Sequence, residues 1–405
     1  MKLWIKDPMA MATPAPQANS GLLIEDGLIT AVLDRPPEAF DEVFDASKLV
    51  VLPGLINGHH HFYQTLTRAV PAASNRALFP WLEALYPIWA NLSETDILLS
   101  SQIAASELLL SGCTTAVDHH YLFSEHLLNA TDLQVEAVKP LGLRSILCRG
   151  SMSLGQSQGG LPPDRVTQPE ASILKHSQLM LEAHHDPSPG AMHQIALAPC
   201  SPFSVSKTLM RETAALAKDF GAGLHTHLSE THDENAFCED LYGQRPLDYL
   251  EEVNWLRPNT WLAHGIHFEP TEIQRLGRAG VGITHCPSSN MILGSGICKT
   301  LELEAAGVSI GIGVDGSASN DSSNLILEAR QALLLQRLKY GSERVSIHHC
   351  LDWATRKGAL AINRPELGSL EPGKVADLAF FKVDEIHHPG HHDPSASLTL
   401  SATPK

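Results

Sequence analysis

Short apolar runs alternate with helical stretches along most of the chain, and this alternation limits its folds more than any other feature. Eight such runs stand at 49–57, 114–120, 144–150, 194–200, 223–230, 260–265, 281–286 and 308–316. Segments with apolar residues at helical intervals follow them, among them 94–110, 133–141, 171–183, 207–219 and 324–338. Eight strand-then-helix units predict an α/β protein built on a (β/α)8 TIM-like barrel. A doubly wound sheet is the competing architecture. It would carry a phosphate-binding turn after the first strand, where this chain has His59-His60-His61 instead.

The chain ends read differently. KLWIK, GLLIEDGLITAVLD and EVFDASKLVVLPG are short strands and turns, with Asp26-Gly27 as a hairpin signal. GSLEPGKVADLAFFKV reads as a turn feeding a strand. Segment 150–163, rich in Gly, Ser and Pro, follows the third strand as a mobile loop or a plain connection. The polar tail from His387 carries four histidines and reads as a disordered end.

Charge and cysteine usage narrow the function. The chain has 29 Lys+Arg against 45 Asp+Glu, a net charge of −16, which repels nucleic acid and anionic membranes. Seven scattered cysteines, an odd number with no CxxC, fit a reducing compartment and a cytoplasmic protein. No signal-peptide core opens the chain, and no apolar run approaches the ~18 residues of a membrane span.

Barrels carry their chemistry at the C-terminal ends of the strands. Those ends hold His59, His61, Asp118, His119, His120, Cys200, His225, His227, Glu230, His264, His285 and Asp315. His59 and His61 are two apart on a strand, so they share a face and can grip one divalent ion, while His60 points away. His227, with Glu230 three residues on and His225 on its own face, repeats the pattern. Asp315 ends a run with no other charge, where burial is costly without a partner or a metal. Any one of these histidines alone fits a hydrogen-bonded core residue; together they point to a site. Gly311–Gly316 matches GxGxxG, but an Asp inside the turn would repel a pyrophosphate. The nucleophile elbow GxSxG, the phosphate loop GxxxxGK[ST] and the HxE with PCxxC signature are all absent from the sequence.

VLPGLINGHHH, HTHLSE, LAHGIH, HCPSSNM, GVDGSASND and LEPGKVADLA resemble, in order, the motifs of the amidohydrolase superfamily. They are most similar to its aminohydrolase branch of guanine, cytosine and S-adenosylhomocysteine deaminases and triazine hydrolases, over nearly the whole chain. The resemblance implies one divalent metal, with zinc expected and iron or manganese able to use the same ligands. Its ligands would be His59, His61, His227 and Asp315. Strand four lacks the lysine of binuclear members, which fits a single ion. Glu230 resembles the proton-shuttling glutamate, His264 the histidine that polarises substrate or water, and Asp315 also takes the water proton. Gln64, three residues after His61, matches a purine-binding glutamine. Ala198-Pro199-Cys200 stands where guanine deaminases carry an arginine. Phe62, Tyr63, Trp81, Tyr121 and Phe203 could stack on a flat ring or simply pack the core.

Within the branch, HHHFYQTLTRA, LFPWLEALYPIW, CTTAVDHHYLF, RGSMSLG and LAPCSPFSVS look most like members acting on 8-oxoguanine. The expected reaction is 8-oxoguanine plus water to urate plus ammonia. Guanine, a pterin or a triazine is the alternative ring, and a catalytically impaired scaffold is the reading of another class. The resemblance also implies a homo-oligomer acting on a small heterocycle, with neither nucleic acid nor membrane as partner. It implies a catalytic barrel over 53–365 and a small β-sandwich domain over 1–52 and 366–405. That small domain usually continues beyond GKVADLA, so its C-terminal part is expected to be truncated, with open strand edges and lower stability.

Overall fold

The computed structural model describes residues 1–13, 19–383, 388, 390 and 392–401. Eight parallel strands close into a barrel in chain order: Leu55–Asn57, Cys113–His120, Arg144–Ser151, His193–Pro199, Gly223–Leu228, Thr260–His264, Gly282–His285 and Ile310–Ile312. The predicted TIM-like barrel is therefore the observed one, and the doubly wound alternative falls. Helices Glu94–Leu110, Ala130–Val138, Glu170–His184, Lys207–Asp219 and Leu325–Tyr340 lie between successive strands or follow the last. Their starts are written locally. Ser93 and Asp96 cap each other's backbone, and Ser206 and Asn324 cap the helices at 207 and 325.

The first apolar run divides in two. Leu49–Pro53 pairs antiparallel with Leu378–Lys382 outside the barrel, and Leu55–Asn57 enters the barrel. Gly54 makes the switch possible: a Cβ there would lie 1.9 Å from Thr114 Oγ1. The eighth run keeps only Ile310–Ile312 in the ladder. Beyond it Gly313 passes so close to His59 that a Cβ would sit 2.9 Å from the histidine Cβ.

Two further sheets stand beside the barrel. One has four strands, ordered Leu28–Leu33, Gly21–Glu25, Lys2–Lys6 and Glu42–Asp45; the other has three, Leu378–Lys382, Leu49–Pro53 and Ala10–Met11. The Asp26-Gly27 hairpin forms with φ of 50° and 80°, as a primed turn requires. Ile5, Leu22, Ile24 and Ile29 of the first sheet pack with Val51 of the second and with Leu370. Arg144 of the third barrel strand donates to both oxygens of Asp377, at 2.8 and 3.0 Å, which ties the barrel to the segment before Leu378–Lys382.

One expectation is corrected, and one open choice is narrowed. The tail forms a helix at Pro394–Leu400, with Asp393 accepting from Ala396 N and with Ala396 and Leu398 buried. It packs on helices Leu325–Tyr340 and Ile347–Trp353. Its polar composition hid it, because Ser395, Ser397 and Thr399 are buried beside the two apolar residues. Of its four histidines, His387 and His391 lie outside the described residues. Segment 150–163 is tied down by Ser153 and Leu154 N–H groups donating to Ser204 O, and it lies outside the central cavity. No helix of the described residues is long and apolar enough to cross a membrane.

Candidate active site

His59 and His61 follow the first barrel strand, whose ladder ends at Asn57, two residues short of the first of them. Both rings nevertheless face one point. Asp315 Oδ1 lies 3.4 Å from His59 Nε2 and 3.3 Å from His61 Nε2, and His61 Nε2 lies 3.2 Å from His227 Nε2. Residues distant in sequence thus meet at the C-terminal rim of the barrel.

The second nitrogen of each ring explains the orientation. His61 Nδ1–H donates to His119 O at 2.6 Å, and His227 Nδ1–H donates to Cys200 O at 2.6 Å. His225 Nδ1–H donates to Trp261 O at 2.9 Å, so its Nε2 accepts from His59 Nδ1–H at 2.8 Å. All three ligand-type Nε2 atoms therefore carry lone pairs aimed at the same place. Such lone pairs, packed around a carboxylate oxygen in a buried site, repel unless a cation lies among them. A tetrahedral set with bonds of ~2.0–2.1 Å has edges of about 3.4 Å. The observed spacings match that figure, so the donor set fits a divalent cation.

Electrostatics agree with this assignment. Burial pushes the imidazoles of His59 and His61 below their ordinary value and His227 down to about 3, so all three rings are neutral at neutral pH, the form that a metal ligand needs. Burial opposes the charge on Asp315. The adjoining imidazoles of His59, His264 and His61 outweigh that and hold it well below the carboxylate range. His119 also comes within 4.8 Å of His59 and His227, but its Nε2 is engaged by Ala198 O at 2.8 Å and its ring stacks on His227.

Glu230 and His264 stand beside this group. His264 Nε2 is 3.5 Å from Glu230 Oε2 and 3.9 Å from Asp315 Oδ2, while its Nδ1–H donates to Asn290 Oδ1 at 3.0 Å. Burial raises the Glu230 carboxyl; it opposes the charge on His264, but the Glu230 and Asp315 carboxylates prevail and raise that pKa. Glu234 accepts the backbone N–H of both Ser229 and Glu230 at 2.9 Å, which fixes the turn that presents Glu230. Ser229, His264 and Asp315 all have left-handed backbones, with φ of 53°, 70° and 61°, so strain is concentrated around the site.

The group opens into a cavity at the C-terminal face of the barrel. His61, His227, Glu230, His264 and Asp315 line it together with Gln64 and the apolar Leu78, Trp81, Leu82, Phe203 and Leu293. Of the rim aromatics, Trp81, Tyr121 and Phe203 line it. Phe62 packs in the barrel core, and Tyr63 packs edge-on against Trp89. Asp118, His120 and His285 turn away to Phe62 N, Leu122 O and Gln336 Nε2 and hold the frame. His60 bonds Ser323 Oγ at 2.9 Å. Burial pushes the Cys200 thiol, which lines the cavity, up to about 12.

Gln64 donates to Tyr63 Oη at 3.3 Å, and its Oε1 has no partner. Gly316 leaves room for it, since a Cβ at 316 would lie 1.9 Å from that oxygen. Gly316 has a φ of −70°, open to any residue. Gly316→Ala is therefore a steric probe of Gln64. We expect KM to rise about tenfold, the worth of roughly one hydrogen bond, with metal content unchanged. An unaltered KM in steady-state kinetics would show that Gln64 makes no useful substrate contact.

A donor set of this geometry, at the C-terminal face of a closed parallel barrel, defines a class of metal-dependent hydrolases. The chain belongs to the Amidohydrolase family, whose model matches residues 50–403. It is 55% identical to the 8-oxoguanine deaminase of Pseudomonas aeruginosa, over 99% of this chain and 90% of that protein. It is 34% identical to an isoxanthopterin deaminase from an unknown prokaryotic organism, over 92% of this chain and 81% of that protein. Among solved structures, the atrazine chlorohydrolase of Arthrobacter aurescens complexed with zinc superposes with a TM-score of 0.93 at 32% identity. That match covers 98% of this chain and 91% of that one.

Proposed function

We propose that the chain is a hydrolytic deaminase of a purine-like heterocycle that converts 8-oxoguanine and water to urate and ammonia. The observation that carries this is the convergence of His59, His61 and His227 Nε2 on Asp315, beside the Glu230–His264 pair. The near full-length similarity to an 8-oxoguanine deaminase supports the choice of ring. We assign the barrel chemistry to residues 53–365 and a small β-domain to 1–52 with 366–405.

His59, His61, His227 and Asp315 would hold one divalent ion, zinc. When bound it lowers the pKa of water toward ~7 and polarises the attacked bond. The residues do the rest. Asp315 Oδ2, free of the contacts made by Oδ1, accepts the water proton. Glu230, with its carboxyl raised by burial, delivers a proton to the ring nitrogen beside the attacked carbon, so negative charge does not accumulate in the ring. His264, held by Asn290, donates a hydrogen bond to the oxygen being added. The former amino nitrogen takes the proton held on Asp315, its bond to carbon breaks and it leaves as ammonia, while the added hydroxyl returns a proton to Glu230 as the new carbonyl forms.

Among the described residues no Lys or Arg lines the cavity, which suits a neutral flat ring. The seven cysteines are all buried and unpaired, which supports a reducing compartment such as the cytoplasm. All four ligand-type residues and Glu230 are in place, which weighs against the scaffold reading. The test is ammonia release from 8-oxoguanine, guanine, isoxanthopterin and hydroxytriazines, with metal analysis of the same sample. We expect the highest kcat/KM for 8-oxoguanine; a higher value for another ring, or release from none, would sink the assignment.

A further inference from the structure

The helix Leu78–Trp89 supplies Trp81, Leu82 and Tyr86 to the cavity wall. Tyr86 is 1% exposed, and its hydroxyl has no hydrogen-bond partner. Buried phenol hydroxyls are ordinarily paired, so this one calls for a reason. The helix that carries it is fixed. Trp89 Nε1–H donates to Thr67 Oγ1 at 3.0 Å, Tyr86 packs edge-on against Trp89 at 5.8 Å, and Arg165 donates to Pro87 O at 3.1 Å.

The other polar groups on the wall are engaged. Ser201 bonds Ser204 at 2.6 Å, Ser319 donates to Gly316 O at 3.2 Å, and the Tyr121 hydroxyl pairs with Tyr63. Outside the histidine and carboxylate group, only the Gln64 Oε1 acceptor and the Tyr86 hydroxyl are buried, lining and unpartnered among the described residues. Tyr121 packs on His61 and His227, at 5.2 and 6.3 Å, whereas among the described residues the ring of Tyr86 packs on Trp89. The titratable groups that bear on the Tyr86 hydroxyl are Cys200 and Tyr63 rather than Glu230 and Asp315, so it stands to the side of the carboxylate pair.

We propose that Tyr86 is a specificity-determining residue whose hydroxyl donates a hydrogen bond to the exocyclic oxygen on the five-membered ring of an 8-oxopurine. This rests on the deaminase reading above. With the amino-bearing carbon placed beside Glu230, the five-membered ring is the part of the purine farther from the reaction. Oxidation turns its C–H into a carbonyl acceptor. A plain purine would leave the phenol desolvated and unpaired, and a site built to bond a polar group rejects analogues that lack it. Among the described residues no Lys or Arg lines the cavity to do this instead.

The test compares wild-type enzyme with Tyr86→Phe, both metal-loaded, on 8-oxoguanine and on guanine. Guanine is scored as a substrate or, failing turnover, as a competitive inhibitor. We expect kcat/KM for 8-oxoguanine to fall about tenfold, mainly through KM, and the guanine constant to move less than about twofold. Tm should hold or rise, because the substitution removes an unpaired buried oxygen. An equal loss on both rings, no loss on either, or a clear fall in Tm would overturn the assignment. Wild-type protein that releases ammonia from neither purine overturns the deaminase reading itself, and this one with it.

Discussion

Glu230→Gln is expected to lower kcat by about 10³-fold, inside the 10²–10⁴ range of positioned acid–base groups, while metal content and Tm stay at wild-type values. Glutamine keeps the volume and an oxygen that can still accept from Ser295 Oγ, which stands 3.3 Å from Glu230 Oε1. Glu234 holds the backbone on either side of the residue, so the turn survives the change. What the amide loses is a proton that can be given and regained. Burial holds the Glu230 carboxyl above its ordinary 4.5, so its protonated form persists to higher pH than that of a solvated glutamate. Single-turnover ammonia release is the measurement. A rate within a factor of a few of wild type would remove the proton-transfer role, whatever the metal analysis shows.

Metal removal should have the other large effect. Chelation is expected to abolish turnover and lower Tm, and zinc should restore both. An ion present at 1,000 times its dissociation constant, and bound only by the folded chain, stabilises it by ~4 kcal/mol. His61→Ala should reproduce both losses without a chelator. The pH dependence has a definite sign. Protons compete with a cation for imidazole lone pairs, and lowered pKa values delay that competition. Because His59, His61 and His227 are all lowered from 6.5, metal content should stay constant as pH falls through 6.5 and drop only in more acid solution. Release with a midpoint near 6.5, followed by metal analysis after dialysis, would mean that these imidazoles behave as solvated ones.

The barrel was legible because a strand covered on both faces must be apolar throughout, and those runs stand out against their helices. Ser93, Ser206 and Asn324 marked helix starts for the same local reason, as side-chain acceptors for unpaired N–H groups. The break at Gly54 was legible only as a turn. Pro53-Gly54 interrupts the apolar run 49–57, and the packing of Thr114 shows that the chain leaves one sheet for another there. The proposed ligand set was picked out by residue type at strand ends, since few other places in a fold gather imidazoles without water.

Tyr86 was hidden for the opposite reason. LFPWLEALYPIW is apolar nearly all round and contains Pro87, so no stripe distinguishes its inner face. Asn290 and Ser295 acquire roles only because the helix Pro287–Ile292 after strand seven and the turn behind it reach His264 and Glu230. Glu234 did leave a trace. Thr231 and Glu234 have the spacing of a helix-start pair, and Thr231 does accept from Glu234 N at 3.3 Å.

The splice at Gly54 has an engineering consequence. The span that delivers His59 and His61 is only Leu55–Asn57 inside the barrel and runs straight on from Leu49–Pro53 in the outer sheet. The two layers are therefore not interchangeable modules. A chimera that swapped the outer sheet for a foreign one would pull on half of the proposed metal ligands at once, so grafting should be attempted only with the junction left native.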